Sequence, residues 1–432
     1  MREKELIVYR DFGQDGKLLS EMAWISRHFQ EKKTKAREKL YACMGGLLEL
    51  GGSHGFYGNL WHCYLSNLLV NHENSYSRAC EIRGAVEGTV NAAVLHDIAI
   101  FRELFTFDFA AVSRALQVPE FDQVLSYEGN EQESRVYNTR IRDRICTLAV
   151  RLAAASSAEE MKERLTEFYR EYGVGKFGLH KAFRIGHRRT EDGAEAVVIE
   201  PILNIAHVKL SDLVGYETAK KKLVENTEAF VSGRKANNCL LYGDAGTGKS
   251  SSIKAIANEY YDRGLRIIEV YRHQFRDLND VIAQIKNRNY KFIIYMDDLS
   301  FEDFETEYKY LKAVIEGGLE KKPDNVLIYA TSNRRHLIRE KFSDKRERDE
   351  DLHTNDTVQE KLSLVYRFGV TIYFGAPDKA QFQQIVKALA QRANISLPEE
   401  ELLAEANKWE LFHGGLSGRT AQQFIDYLSG TL

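Results

Sequence analysis

One short run constrains this chain more than any other feature: Gly243-Asp244-Ala245-Gly246-Thr247-Gly248-Lys249-Ser250. It matches the pattern G-x-x-x-x-G-K-[ST], in which glycines let backbone N–H groups curl around an anion. A helix that begins near Gly248 adds its positive end, and Lys249 supplies a mobile positive charge. The pattern predicts a loop that binds the phosphates of a nucleoside triphosphate, with the Ser250 hydroxyl on Mg²⁺.

The residues on either side of this loop decide whether the match is accidental. Residues 238–242 (NCLLY) are typical of a short buried strand. Apolar residues then recur at helical spacing, at Ile253, Ile256, Ala257 and Tyr260. This context favours a functional loop over a glycine-rich loop without a ligand. The predicted nucleotide-binding residues of the loop are Asp244, Ala245, Gly246, Thr247, Gly248, Lys249, Ser250 and Ser251.

A second motif ends in two acids. Residues 292–296 (FIIYM) are apolar and lead into Asp297 and Asp298, which is typical of a central parallel strand whose carboxyl end faces a ligand. Taken alone, two adjacent acids would be more typical of a turn or a helix cap. Their pairing with a phosphate-binding loop instead predicts a Walker B motif. Asp297 would bind Mg²⁺, and Asp298 would orient or deprotonate the attacking water.

Two further buried strands are predicted, at residues 266–271 (RIIEVY) and 326–331 (VLIYAT). The second runs directly into Ser332 and Asn333. An Asn amide both donates and accepts hydrogen bonds, so Asn333 is a candidate to hold the hydrolytic water near the γ-phosphate. A simple turn is the alternative explanation for this Asn.

These motifs, in this order, resemble the AAA+ superfamily of ATPases. The resemblance implies an α/β P-loop module, in which a five-stranded parallel sheet carries helices on both faces, followed by a helical lid. It implies that Val214 and Gly215 lie on the adenine side of the nucleotide. It also implies that Arg367 reaches the nucleotide of a neighbouring subunit. Arg419, close to the candidate N-cap Ser417, would contact the γ-phosphate of its own subunit.

Within that superfamily, four stretches resemble the bacterial predicted ATPases catalogued as domain of unknown function 815: residues 226–230 (NTEAF), 297–302 (DDLSFE), 329–337 (YATSNRRHL) and 360–364 (EKLSL). The resemblance spans residues 205–430. Two positions depart from the superfamily pattern. Asp298 is one methylene shorter than the Glu of many AAA+ proteins, which predicts slow hydrolysis unless the water sits closer or Glu302 assists. Tyr366 precedes Arg367, where a small or acidic residue is expected.

The chain divides into four predicted segments. Residues 1–180 form a mostly α-helical domain of unknown role, 181–208 a connector with a hairpin signal, 209–376 the nucleotide-binding module and 377–432 the lid. In the first segment, the glycines between residues 45 and 58 predict a loop between helices. The pairs His96-Asp97 and His62-Cys63 lack further spaced ligands, so ordinary core or surface roles are favoured over metal binding.

Composition limits the remaining functions. The formal net charge of −3 gives no basic excess, so nucleic-acid binding is allowed but not favoured. No apolar run approaches the roughly 18 residues that span a bilayer, which predicts no membrane association. The five cysteines are an odd number without a C-x-x-C motif. They favour a reducing, cytoplasmic location and argue against disulfides or structural zinc.

Together the motifs predict an AAA+ ATPase that binds ATP with Mg²⁺ and hydrolyses it. Hydrolysis would be coupled to the remodelling or recruitment of an unidentified protein partner. The predicted assembly is a homo-oligomer in which Arg367 acts in trans. Two alternatives stay open: a loader or initiator that acts on nucleic acid, and a nucleotide-binding switch with little turnover.

Overall fold

The structure is a computed structural model that describes residues 2–81, 84–129, 134–190, 192–300, 307–316, 323–334 and 365–431. Glu302 and the stretch 360–364 lie outside these ranges. The chain forms two compact units, residues 1–180 and 181–432. Within the described ranges, no helix is long and apolar enough to cross a membrane.

The first unit is built from α-helices. In its described residues these are α1 Gly16–His28, α2 Lys33–His54, α3 Leu60–Asn71, α4 Ser75–Cys80, α5 Val90–Thr106, α6 Phe109–Leu116, α7 Asp122–Leu125, α8 Thr139–Ala153, α9 Ala158–Tyr172 and α10 Gly175–Leu179. Polar residues begin several of them: the side chains of Asn138 and Ser157 accept first-turn N–H groups of α8 and α9. Large aromatic side chains, including Tyr9, Trp61 and Tyr169, fill the buried core.

The loop predicted for the glycines between residues 45 and 58 is largely wrong, because α2 continues to His54. Leu40, Cys43 and Leu47 are buried along this helix, and their burial offsets a helix-propensity cost of about 1 kcal/mol per glycine. Gly51 also allows close packing, since a Cβ there would lie 3.0 Å from Leu60. The helix ends at His54, and Gly55 caps it with a φ of +73°.

The two histidine pairs of the first unit have structural roles. The buried Asp97 carboxylate accepts hydrogen bonds of 2.7–3.1 Å from the backbone N–H groups of residues 7–9, which fixes the amino-terminal segment. His62 Nε2 lies 2.8 Å from the carbonyl oxygen of Phe105. These contacts give Asp97 and His62 structural roles within the fold. All five cysteines of the chain are free and buried.

A seven-stranded sheet organises the second unit. Its strands in the described residues are β1 Ala182–Arg189, β2 Glu195–Pro201, β3 Cys239–Gly243, β4 Leu265–Glu269, β5 Lys291–Met296, β6 Val326–Ser332 and β7 Val370–Phe374. Their spatial order is β2-β1-β4-β5-β6-β3-β7. Strand β2 is antiparallel to β1, and the other neighbouring strands run parallel. Strand β6 is buried along its whole length, as expected of a central parallel strand.

The prediction of a five-stranded sheet is wrong in number. The five expected strands are present as β3 to β7, but the segment expected as a connector adds β1 and β2 at the β4 edge. Phe183 of β1 pairs in parallel with Ile268 of β4, and this pairing satisfies backbone groups that an edge strand would leave unpaired. Burial of Phe183, Ile185 and Ile199 holds the hairpin in place.

Helices flank the sheet and follow it. In the described residues of the second unit they are α11 Glu217–Val231, α12 Lys249–Glu259, α13 Leu278–Ile285, α14 Glu307–Glu316, α15 Lys379–Arg392, α16 Glu399–Phe412 and α17 Gly418–Thr431. We refer to α15, α16 and α17 as the lid. These three helices share an apolar core that includes Phe382, Val386, Leu402, Ala406 and Phe424.

Candidate functional site

The loop between β3 and α12 has the backbone curvature of an anion cradle. Gly243, Gly246 and Gly248 have φ values of +137°, +75° and +91°, a region that glycine enters readily and other residues do not. A Cβ at Gly243 would clash with the carbonyl group of Phe374, and one at Gly246 would lie 3.0 Å from Ser417 Oγ. Conformation and the close approach of β7 and the lid therefore both require glycine here.

Lys249 begins α12, and only 6% of the residue is exposed. Its Nζ donates to the carbonyl oxygens of Gly243 and Asp244 at 3.0 and 2.6 Å, and to Asn333 Oδ1 at 3.0 Å. Burial lowers the pKa of Lys249, although nearby carboxylates, with Asp244 foremost, act in the opposite direction. A bound polyanion would add the negative charge that these carboxylates supply only in part.

Three oxygen-bearing side chains meet at the carboxyl end of β5. Asp297 Oδ1 accepts hydrogen bonds from Ser250 Oγ at 2.8 Å and from Thr331 Oγ1 at 2.5 Å. Although burial acts in the opposite direction, the surrounding hydroxyl donors hold the pKa of Asp297 below its ordinary value. Asp297 is therefore ionised at neutral pH, and its carboxylate stands next to a serine hydroxyl.

Asp298 has a φ of +49°, a left-handed conformation that is uncommon outside glycine. Its backbone N–H donates to Thr331 Oγ1 at 3.0 Å, and its Oδ1 accepts from Asn333 Nδ2 at 2.9 Å. The Asn333 amide therefore bridges Asp298 and Lys249. Backbone strain of this kind persists only where the surroundings enforce it, and it is frequent at functional sites.

These residues line a pocket of about 870 Å³. Its lining also includes apolar residues of the segment 208–216 and of α15, a part of the pocket that we call the base end: Val208, Leu213, Val214, Tyr216, Ile385, Leu389 and Ala393. A pocket that combines a glycine cradle and charged side chains with apolar residues suits a nucleotide, with its phosphates at the cradle, which we call the phosphate end, and its base against the apolar residues. Of the two predicted adenine-side residues, Val214 lines the pocket. Gly215 instead makes the adjoining turn, with a φ of +81°.

The lid contacts both ends of this pocket. At the base end, the Arg392 guanidinium donates to the carbonyl oxygens of Asp212 and Ser211 at 2.8 and 3.3 Å, and lies 3.7 Å from the Asp212 carboxylate. At the phosphate end, the backbone N–H of Arg419 donates to Gly246 O at 3.2 Å. A movement of the lid would therefore change the shape of the pocket at two points.

We expect Arg392→Ala to speed nucleotide release about three- to tenfold, because it removes charge-assisted hydrogen bonds that hold the lid at the base end. Stopped-flow measurements with a fluorescent ATP analogue would give this rate. Lys387→Ala is the matched control, since it removes an exposed cation of the same helix that pairs with Glu399 and lies outside the pocket lining. An unchanged release rate in Arg392→Ala would contradict a latching role.

Two more predicted residues lie at the phosphate end. Arg419 lines the pocket, and α17 starts beside it with Ser417 Oγ accepting the Thr420 N–H at 3.0 Å, so the predicted N-cap is confirmed. Asp244 is placed differently, because its carboxylate accepts the Ala376 N–H at 2.7 Å and ties the loop to the segment after β7. The Asp244 side chain thus has a structural role in the fold.

Arg367 lies away from the other predicted catalytic residues. It precedes β7, in which Val370 pairs with the start of β3 and Phe374 pairs with Gly243 at the end of β3. At about 3.3 Å per residue, four steps along the strand separate these two levels by roughly 13 Å. Arg367 is therefore at the amino end of the sheet, whereas the phosphate-binding loop is at the carboxyl end.

The residues present suit ATP with Mg²⁺. The glycine cradle and Lys249 are matched to phosphate oxygens, and Ser250 with Asp297 offers a hydroxyl and an ionised carboxylate. Mg²⁺ in nucleotide sites usually takes one or two carboxylates and completes its shell with phosphate oxygens and water. In the described ranges, no group of three or more His, Cys, Asp or Glu side chains is placed to hold a metal ion. What the site offers Mg²⁺ is the Ser250 hydroxyl and the Asp297 carboxylate.

The parallel sheet, the cradle after β3, the paired acids after β5 and Asn333 after β6 define a P-loop protein with its motifs in the order that the resemblance to AAA+ ATPases implies. Residues 181–432 match the model of the family described as Protein of unknown function (DUF815). The chain belongs to this family, and the resemblance seen in the sequence is confirmed.

Shorter stretches of the chain are similar to named proteins. The replication factor C large subunit of Staphylothermus marinus is 39% identical over 74 residues, 17% of either chain. That of Methanococcus maripaludis is 40% identical over 77 residues, 18% of this chain and 15% of the relative. The matches thus span less than a fifth of these relatives.

Among solved structures, a RuvB mutant of Thermotoga maritima gives a TM-score of 0.37 at 16% identity, over 52% of this chain and 66% of that one. The FIGL-1 AAA domain in complex with ADP gives 0.37 at 16%, over 53% and 75%.

Sequence reasoning missed Thr331 and Arg392. Thr331 donates to the Asp297 side chain and accepts from the Asp298 backbone. Its position two residues before Asn333 was a usable signal, because residues i and i+2 of a strand share a face. Arg392 carries no comparable signal, since its partners precede it by about 180 residues and meet it only when the lid packs.

Proposed function

We propose that this protein hydrolyses ATP with Mg²⁺ and uses the cycle, as a homo-oligomer, to remodel or recruit a protein partner. One observation carries the proposal: Lys249, Asp297, Asp298 and Asn333 converge in a single pocket beside the glycine cradle. Each group is suited to a different task in the transfer of a phosphoryl group to water.

In the proposed mechanism, the loop N–H groups and Lys249 hold the β- and γ-phosphates. Ser250 and Asp297 would hold Mg²⁺, which neutralises phosphate charge when bound. Asp298 hydrogen-bonds the attacking water and takes its proton, while the Asn333 amide fixes the acid and the water in line. The contact of 2.9 Å between Asn333 Nδ2 and Asp298 Oδ1 supports this pairing.

Movement of the lid would transmit the ATP hydrolysis cycle to the rest of the assembly. Arg419, the second residue of α17, lies beside Gly246. Arg392, the last residue of α15, donates to the carbonyl oxygens of residues 211–212. Loss of the γ-phosphate removes the group that Arg419 would contact, so α17 is released from the phosphate end. Arg392 still holds the lid at the base end. Such closure and release around a ligand is a common route from nucleotide chemistry to subunit motion.

We expect Asp298→Asn to keep ATP affinity and to lower turnover about 100-fold or more, because a positioned general base contributes about 10²- to 10⁴-fold. Steady-state ATPase assays and ATP calorimetry on one preparation test both halves of this statement. Asp280→Asn, a change at an exposed acid of α13, is the matched control. If the wild-type chain assembles with ATP but barely turns over, and Asp298→Asn changes nothing, the nucleotide-binding switch is the correct description.

A loader or initiator that acts on nucleic acid is the second candidate. It is favoured by the stretches that are similar to proteins named replication factor C large subunit, whereas the net charge of −3 gives it no general support. ATPase stimulation by single-stranded DNA, with a steep dependence on salt, would favour this candidate. A rate that DNA leaves unchanged at low salt would count against it.

A further inference from the structure

A tyrosine hydroxyl lies beside the predicted metal carboxylate. Tyr295 stands two residues before Asp297 at the end of β5, so the two side chains leave the chain on the same face of the sheet. Tyr295 is only 4% exposed and belongs to the apolar cluster that contains Ile253 and Ile293. The core therefore fixes the ring, while the hydroxyl reaches the edge of the nucleotide site.

The hydroxyl of Tyr295 has polar neighbours but no hydrogen-bond partner in the described part of the chain. Its polar neighbours are Ser250, Asp297 and Thr331, yet it makes no hydrogen bond with any group within the described ranges. A buried hydroxyl without a partner costs free energy that phenylalanine, with the same ring, would avoid. The polar atom at this position therefore calls for a role in the site.

The adjacent strand offers a direct comparison. Tyr295 pairs across the sheet with Tyr329 of β6, a buried tyrosine of the same cluster. The Tyr329 hydroxyl accepts from Asn226 Nδ2 at 2.9 Å and lies 3.0 Å from Thr227 Oγ1, so a structural network satisfies it. Tyr295 instead faces the serine, threonine and carboxylate of the predicted metal site. Two paired tyrosines thus have hydroxyls in different surroundings.

We propose that Tyr295 is a positioning residue of the metal site, whose hydroxyl donates a hydrogen bond to the Asp297 carboxylate when ATP and Mg²⁺ are bound. This inference rests on the proposed function. Asp297 Oδ1 already accepts from Ser250 and Thr331, but Ser250 is itself a predicted metal ligand. A further donor on a rigid ring keeps the carboxylate oriented while Ser250 adjusts to that role. Tyr295 then controls how tightly the site holds the metal, and leaves the grip on phosphate and base unchanged.

The test is Tyr295→Phe in the full-length chain, which removes the hydroxyl and keeps the ring. Calorimetric titrations with ATP, in EDTA and at a series of Mg²⁺ concentrations, give the metal-free affinity and the Mg²⁺ concentration that produces half of the tightening. We expect the metal-free affinity to be unchanged and the half-maximal Mg²⁺ concentration to rise about three- to tenfold, as for the loss of one hydrogen bond to a charged group.

Tyr329→Phe is the matched control, because it removes the hydroxyl from the paired residue of the adjacent strand. It should lower the melting temperature and leave the Mg²⁺ dependence as in the wild type. The proposal is overturned if Tyr295→Phe has a wild-type Mg²⁺ dependence, or if ATP binding weakens equally with and without Mg²⁺, which would indicate a packing defect. A wild-type chain that binds no ATP in either condition defeats the proposed function itself, and that result is visible before any variant is compared.

Discussion

Arg367→Ala should bind ATP as the wild type does and yet lose turnover by on the order of 10³-fold or more, the range known for arginines that act on phosphoryl transfer. The reason is its position at the amino end of β7, at the opposite end of the sheet from the phosphate-binding loop. In the proposed homo-oligomer, its guanidinium would stabilise transition-state charge in a neighbouring subunit. Steady-state ATPase rates and ATP affinities, measured on the same preparation, separate the chemical step from binding.

Mixing two inactive variants tests whether this arginine acts between subunits. Lys249→Ala subunits still supply Arg367, and Arg367→Ala subunits still supply an intact nucleotide pocket. The mixture should therefore recover activity well above that of either variant alone. Arg234→Ala changes an exposed arginine in the segment before β3 and should leave the rate unchanged. If both variants assemble and mixing restores nothing, Arg367 does not work in trans.

Lys249→Ala should weaken ATP binding on the order of 100-fold, because it removes a buried cation that bonds the loop and faces the phosphate end. Calorimetry gives the affinity directly. Thermal unfolding gives an independent measurement, since a ligand raises the melting temperature only if the folded chain binds it. The variant should show no upward shift at an ATP concentration that stabilises the wild type.

In the absence of nucleotide, Lys249→Ala should not destabilise the protein. Burial lowers the pKa of Lys249, which means that the charged form is held there at a cost in free energy. Removal of the amine relieves that cost but also removes the three hydrogen bonds of Nζ, so the melting temperature without ATP should stay close to that of the wild type. Lys254→Ala, at an exposed position of the same helix, is the control for any effect on α12. Wild-type ATP affinity in Lys249→Ala would refute the assigned pocket.

Much of the sheet could be predicted because a buried parallel strand needs apolar residues on both faces. Residues 292–296 and 326–331 are such runs, and they appear as β5 and β6 with ends shifted by one residue. The hairpin β1–β2 was harder, since whether it joins the sheet depends on a pairing with β4 that local sequence does not encode. The full length of helix α2 was still harder to predict from sequence, because distant core contacts outweigh the preference of its glycines for turns.

The chemistry of the site was already present in the order of residues along the chain. A glycine loop followed by Lys249, and two acids after an apolar strand, together predict a site for a triphosphate and its metal. What tertiary structure alone decided is which groups meet. The parallel register that sets Met296 beside Ala330 brings Thr331 to Asp297 and Asn333 to Asp298. Packing of the lid brings Arg392 to residues 211–212. Register and packing depend on the whole sheet and its core, so no local stretch of sequence contains them.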